Sequence, residues 1–262
     1  MKTIKQTIRK LINYFGYDIL KGNPESLSSQ LNYLPDLEDR NIKIVRLVKE
    51  KTLTSVERIN GLIDATRYII ANNIEGSIVE CGVWQGGSMM AVAYTLQELS
   101  NTDRDLYLFD TYEGMTSPTE EDIAHFSNVD AQTLLNSEDE KQREAYICYS
   151  DLEEVQKNLY STKYPSNKIH FIKGKVEDTI PSNTPNKIAL LRLDTDWYES
   201  TRHELEHLFP LLVSGGVIII DDYGYWKGCK KATDEYIQNN QIPLLLNRLD
   251  STGRIAIKVD FK

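Results

Sequence analysis

Four apolar runs in this chain end in acidic residues. Glu80 closes Ser77-Ile78-Val79 and Asp110 closes Leu106-Tyr107-Leu108-Phe109; Asp194 follows Ile188 to Leu193, and Asp221-Asp222 follow Val217-Ile218-Ile219-Ile220. Acids at such points can cap helices or bind ligands. Asp194, Asp221 and Asp222 have no histidine or cysteine beside them, which makes them the donor set of a hard, oxygen-preferring cation such as Mg²⁺. Without a cation, three crowded carboxylates would repel one another and raise their pKa values. A bound divalent ion relieves that conflict and can polarise an acceptor hydroxyl. Asp196, two residues beyond Asp194, is close enough to act as general base or as an outer partner of the ion.

Between the first two runs lies Glu80-Cys-Gly-Val-Trp-Gln-Gly-Gly-Ser88. Its glycines would let backbone approach a ligand, although the spacing is not the G-x-G-x-x-G of dinucleotide sites. A carboxylate at the end of the second run, Asp110, is placed to accept both hydroxyls of a ribose. A nicotinamide cofactor is one option at this point, and the missing fingerprint counts against it.

These residues need a frame that brings run ends together. Runs that are apolar on both faces predict a parallel sheet covered on both sides. Helical periodicity over Ser55 to Asn72, Ser88 to Leu99, Asp151 to Leu159, Ser200 to Leu212 and Cys229 to Asn239 alternates with the strands, giving a doubly wound α/β fold. Ile169 to Ile172 supplies a further strand, and Leu244 to Asn247 with Ile255 to Val259, joined across Asp250-Ser-Thr-Gly253, predict an antiparallel C-terminal hairpin. In such a sheet, ligands bind outside the carboxyl ends of the strands. The acids therefore converge on one crevice.

The chain has 262 residues with 30 Lys+Arg against 39 Asp+Glu, a net charge of −9. A nucleic-acid binder needs a basic excess, so that class is excluded. Residues 117–158 hold 11 acids and 3 bases, nearly the whole net charge, and read as an insertion that is either a lid or a solvated acidic face. Residues 1–22 carry an apolar stripe broken by Lys2, Lys5, Arg9 and Lys10, which fits a docking helix rather than a signal peptide or membrane span. Residues 1–51 are thus expected to form a helical extension for docking or oligomerisation, and 52–262 the main domain. Cys81, Cys148 and Cys229 are odd in number and widely spaced, which points to a reducing cytoplasm.

Five segments taken together resemble one family. They are Glu80 to Ser88, Phe109-Asp-Thr-Tyr-Glu-Gly114, Lys173-Gly-Lys-Val-Glu-Asp-Thr-Ile-Pro181, Leu191-Arg-Leu-Asp-Thr-Asp-Trp-Tyr-Glu-Ser-Thr201 and Asp221-Asp-Tyr-Gly224. In this order they are similar to the macrocin and mycinamicin O-methyltransferases, over about Thr52 to Tyr236. The resemblance implies a Rossmann-like class I methyltransferase that uses S-adenosylmethionine and Mg²⁺ to methylate sugar hydroxyls of glycosylated natural products, sugar nucleotides or related saccharides. It also implies a homodimer or larger homo-oligomer. Carried over, it assigns the cofactor to Thr54, Ser55, Glu80, Gly82, Ser88, Asp110, Thr111, Val176, Glu177 and Asp194. It assigns the metal to Asp194, Asp221 and Asp222, and the base to Asp194 or Asp196. Cys81 and Thr111 depart from the family's usual residues, and 117–158 has no match. Lys227, Lys230 and Lys231 would pair with phosphates if the acceptor were a sugar nucleotide. The alternatives are a catechol or phenol O-methyltransferase, a nicotinamide oxidoreductase, and a non-catalytic cofactor-binding module.

Overall fold

The computed structural model describes Leu27, Leu31 and residues 34–259; the helix expected over residues 1–22 lies outside the described residues. Helices are α1 (Asp39–Val48), α2 (Val56–Ala71), α3 (Gly87–Glu98), α4 (Ala131–Leu135), α5 (Glu140–Ile147), α6 (Leu152–Ser161), α7 (Val176–Thr179), α8 (Tyr198–Leu208) and α9 (Lys227–Asn239). Strands are β1 (Ser77–Cys81), β2 (Leu106–Asp110), β3 (Ile169–Lys173), β4 (Ile188–Leu193), β5 (Leu212–Ile220), β6 (Asn247–Arg248) and β7 (Arg254–Ile257). They form one sheet in the order β3-β2-β1-β4-β5-β7-β6. β1 to β5 pair in parallel, and β7 runs antiparallel to both β5 and β6.

The period of two along each strand explains why both faces are apolar. Val217 and Ile219 enter the core with α1, α2 and α3, whereas Ile218 and Ile220 enter the opposite core with α8 and α9. Carried further along the chain, the first parity reaches Glu80 on β1, Arg192 on β4 and Asp221 just past β5. The parallel register sets Glu80 beside Arg192, so three charged groups meet at the carboxyl end of one face.

Several element boundaries differ from expectation; the last strand, for one, is Arg254–Ile257 and stops short of Val259. The helix expected from Ser200 to Leu212 starts at Tyr198 and stops at Leu208, because Pro210 lies in a short 3₁₀ turn, Phe209–Leu211, and Leu212 already belongs to β5. The penultimate strand is reduced to Asn247–Arg248, since Leu244 and Leu246 pack against the α8–α9 core instead. Within the segment expected to lead in, α1 buries Ile44, Val45 and Val48 in the same core as α2 and α3. The α2 start is as read: the Ser55 hydroxyl accepts a hydrogen bond from the Arg58 amide at 3.1 Å.

Under the sheet's carboxyl end, α8 buries Glu204 completely. Its Oε1 accepts from Thr195 at 2.9 Å and its Oε2 has no partner. Burial pushes this carboxyl well above its ordinary range. The folded state therefore holds its proton more tightly than the unfolded chain, and stability declines as pH rises above the unfolded value of about 4.3. Glu204→Gln should remove that slope and give a higher melting temperature than the parent at pH 8, with little difference at pH 4, as read by thermal scans across pH.

Candidate active site

The first strand ends in a turn that only glycine can make. Gly82 has φ +82°, and a Cβ there would stand 2.0 Å from the Asp194 carbonyl oxygen, which brings the β1 and β4 ends together. Helix α3 then starts at Gly87, with Ser88 in its buried first turn. The Asp110 carboxylate, at the end of β2, ties this turn down. Its Oδ2 accepts from the Val83 and Trp84 amides at 2.6 and 3.2 Å, and its Oδ1 from the Tyr112 amide at 2.7 Å.

Two adjoining cavities open here. The larger, about 320 Å³, is lined by Thr54, Gly82, Ser88, Asp110, Asp194, Asp196, Asp221 and Asp222 among others. The smaller, about 60 Å³, takes in Thr111, Val176 and Glu177, and shares Gly82, Asp110, Gly114, Met115 and Asp194 with the first. The structure thus brings together eleven of the thirteen residues singled out from the sequence. The other two stand back. Glu80 is completely buried behind the turn, and the Ser55 hydroxyl donates to Asp250 at 2.6 Å on an outer groove.

The charges behind the cavity are paired. Arg192, itself buried, bonds Glu80, bridges both oxygens of Asp221 at 3.0 and 2.7 Å, and reaches Asp194 at 2.8 Å and Thr54 Oγ1 at 2.7 Å. Arg58 of α2 joins Asp221 to Asp250. Against the desolvation of full burial, Arg192 and Arg58 hold Asp221 below the usual carboxylate range. Burial has the opposite result at Glu80, pushed up to about 7 despite Arg192.

The charges facing the cavity are crowded. Desolvation, then their carboxylate neighbours, push Asp194 and Asp222 well above the ordinary range, and Asp196 to about 7. Asp222 stands beside both Asp194 and Asp196, so three carboxyls share one small buried space. Asp222 Oδ2 is buried without a partner. Asp196 has φ +68°, an uncommon conformation for a side-chain-bearing residue, and its Oδ1 accepts from Trp226 Nε1 at 2.8 Å.

Two features escaped the sequence reading. One is the pair Arg58 and Arg192; an arginine inside Leu190-Leu191-Arg192-Leu193 was itself a signal, since buried arginines need partners. The other is an aromatic wall, in which the Tyr146 hydroxyl meets that of Tyr225 at 2.8 Å and Trp226 packs edge-on against Trp197. Lys227, Lys230 and Lys231 are engaged elsewhere, on Asn128, Asp234 and Glu121, and line neither cavity. Asp221, read as a metal ligand, is occupied by two guanidiniums. Among the described residues no group of three histidine, cysteine or acidic side chains stands in metal-holding geometry, and no helix is long and apolar enough to cross a membrane.

Fold and crevice together define a doubly wound α/β methyltransferase; the solved structure of the O-methyltransferase NovP superposes with a TM-score of 0.70 at 28% identity, covering 80% of this chain and 83% of that one. The chain belongs to the macrocin O-methyltransferase (TylF) family, whose model matches residues 35–257. Demethyldecarbamoylnovobiocin O-methyltransferase of Streptomyces niveus is 30% identical over 77% of this chain and 73% of its own length. Mycinamicin III 3''-O-methyltransferase of Micromonospora griseorubida is 28% identical over 77% and 76%. The calicheamicin methyltransferase CalS11, at 18% identity and TM-score 0.57 over 92% of this chain and 99% of that one, shares the fold.

Proposed function

We propose that this chain transfers the methyl group of S-adenosylmethionine to a hydroxyl of a sugar-containing acceptor, with a divalent cation such as Mg²⁺ held at Asp194 and Asp222. The observation that carries the reading is the crowding of Asp194, Asp196 and Asp222 on the cavity that also contains the Gly82 turn, Ser88 and Asp110. The unpartnered Asp222 Oδ2 fits a hard cation. Asp221, engaged by Arg192 and Arg58, supports the site as background charge.

In the larger cavity Thr54, Gly82 and Ser88 border the methionine end of the cofactor, and Asp110 takes the ribose. Val176 and Glu177 border the base in the smaller cavity. When bound, the cation lowers the pKa of an acceptor hydroxyl and favours acceptors with two neighbouring oxygens. Asp196 removes the hydroxyl proton, with Trp226 fixing its carboxylate and Asp194 bearing on its charge. Positioning supplies the rest, since the sulfonium carbon is already electrophilic.

A natural-product sugar as acceptor is supported by the relatives named above together with the 8-demethyl-8-(2,3-dimethoxy-alpha-L-rhamnosyl)-tetracenomycin-C 4'-O-methyltransferase of Streptomyces olivaceus, 30% identical over 77% of this chain and 73% of its own length. Segment 117–158 contributes Tyr146 and Cys148 to the larger cavity, which supports a role as cover over the acceptor. We assign residues 1–22 to docking within a homodimer or larger assembly, in the cytoplasm, since α1 of the expected 1–51 extension packs into the main core.

Calorimetric titration with S-adenosylmethionine, followed by transfer to deoxyhexose glycosides with and without EDTA, tests the reading. Cofactor binding is expected in both conditions, with methyl transfer abolished by EDTA and restored by added Mg²⁺. A chain that binds no cofactor overturns the proposal, and turnover that survives EDTA removes the cation from it.

A further inference from the structure

Among the described acids of segment 117–158, Asp122 alone is buried, and it is completely so. It lines neither cavity of the site. Burying a carboxylate is costly unless donors meet it, and here they do. Its Oδ2 accepts from the Thr119 amide at 2.7 Å and the Thr119 hydroxyl at 3.0 Å, and its Oδ1 accepts at 2.7 Å from the amide of Tyr198, the first residue of α8. Its backbone carbonyl accepts from the Ala131 amide at the start of α4, at 2.8 Å. Gly228, in the first turn of α9, leaves room for it, since a Cβ there would stand 2.0 Å from Asp122 Oδ1. One buried side chain therefore joins the segment to the starts of two helices.

Those starts carry the two tryptophans of the aromatic wall: Trp197 immediately precedes α8 and Trp226 immediately precedes α9. Residues 116–125 hold both. Trp197 Nε1 donates to the Thr116 carbonyl at 3.0 Å. Ala124 is bridged to Trp226, while the His125 amide donates to the Tyr225 carbonyl at 2.7 Å and the Lys227 amide to the Ile123 carbonyl at 2.9 Å. The two indoles pack edge-on with centroids 5.0 Å apart, and Trp226 Nε1 reaches Asp196 Oδ1 at 2.8 Å. A carboxylate held by an indole is only as well placed as the indole itself.

We propose that Asp122 is a positioning residue for methyl transfer: it clamps residues 116–125 against the starts of α8 and α9, and so holds Trp226 and, through it, Asp196. The inference rests on the reading of Asp196 as the base and adds a residue that touches neither cofactor nor acceptor. Misplacing a reacting group by about 1 Å can cost about 10²-fold in rate. Loss of the clamp therefore falls on kcat and spares the affinity for S-adenosylmethionine.

Two variants reach the clamp from opposite sides. Asp122→Asn exchanges one acceptor oxygen for a donor among amide donors, and Gly228→Ala drives a Cβ against Oδ1 while leaving every cavity residue in the sequence unchanged. Each should lower the single-turnover rate on methyl rhamnoside, with saturating S-adenosylmethionine and Mg²⁺, by about 10–100-fold. Cofactor affinity by calorimetry should stay near the parent's, and the near-ultraviolet circular dichroism of the tryptophan pair should change. In an Asp196→Asn background, Asp122→Asn should cost less than about twofold more, because an effect carried by the base disappears with the base. The inference is overturned if both variants keep the parent's rate, if the loss recurs in full in the Asp196→Asn background, or if the rate falls while the tryptophan signal is unchanged. An Asp196→Asn chain with the parent's rate overturns the assignment of the base, and a parent that binds cofactor but leaves methyl rhamnoside unmethylated overturns the sugar reading; either takes this inference with it.

Discussion

Arg192→Met is expected to cost the folded chain about 3–5 kcal/mol, which is a large share of the roughly 5–15 kcal/mol that keeps a domain folded. The guanidinium sits among Glu80, Asp194 and Asp221 with 3% of its side-chain surface exposed. Removing it leaves two fully buried carboxylates without their main counter-charge, and their desolvation is no longer offset. Denaturant titration should show a lower midpoint or no cooperative transition. The companion variant carrying Glu80→Gln, Arg192→Met and Asp221→Asn together should recover much of the loss, because it removes the charges along with their partner. A single Arg192→Met that costs under about 1 kcal/mol would show the network to be ornamental.

Asp196→Asn should lower kcat by about 10²–10⁴-fold, the usual contribution of a positioned base. Asparagine tolerates the positive φ of this position, and it can keep the hydrogen bond from Trp226, so the fold should persist. Cofactor affinity, read by calorimetry, should change little. The loss should appear in single-turnover rates on a saturating acceptor. Unchanged single-turnover rates would move the base elsewhere, with Asp194 the next group to test.

The α/β alternation and the run-end acids were readable because strand periodicity and charge are local properties. Element starts were also local, as at Ser55 and Asp151, whose side chains cap their helices. The division of labour among the acids was not. Whether Asp221 faces a ligand or an arginine depends on the register that sets Glu80 against Arg192 and on α2 delivering Arg58 from 163 residues away. Nothing in the Asp221-Asp222 pair says which of the two is neutralised. The Tyr146–Tyr225 contact spans 79 residues, so an aromatic wall could not be seen along the chain. The helix boundary at Leu208 was available in principle from Pro210, whose ring cannot continue a regular helix.

The charges at the strand ends also bear on how the reaction ends. Glu80, Asp194, Asp196, Asp221 and Asp222 gather there with Arg58 and Arg192 as counter-ions. In the proposed reaction the donor arrives as a sulfonium cation and leaves as a neutral thioether. A negative surrounding attracts the first and has no such hold on the second. In that reaction the spent cofactor loses this attraction together with its charge.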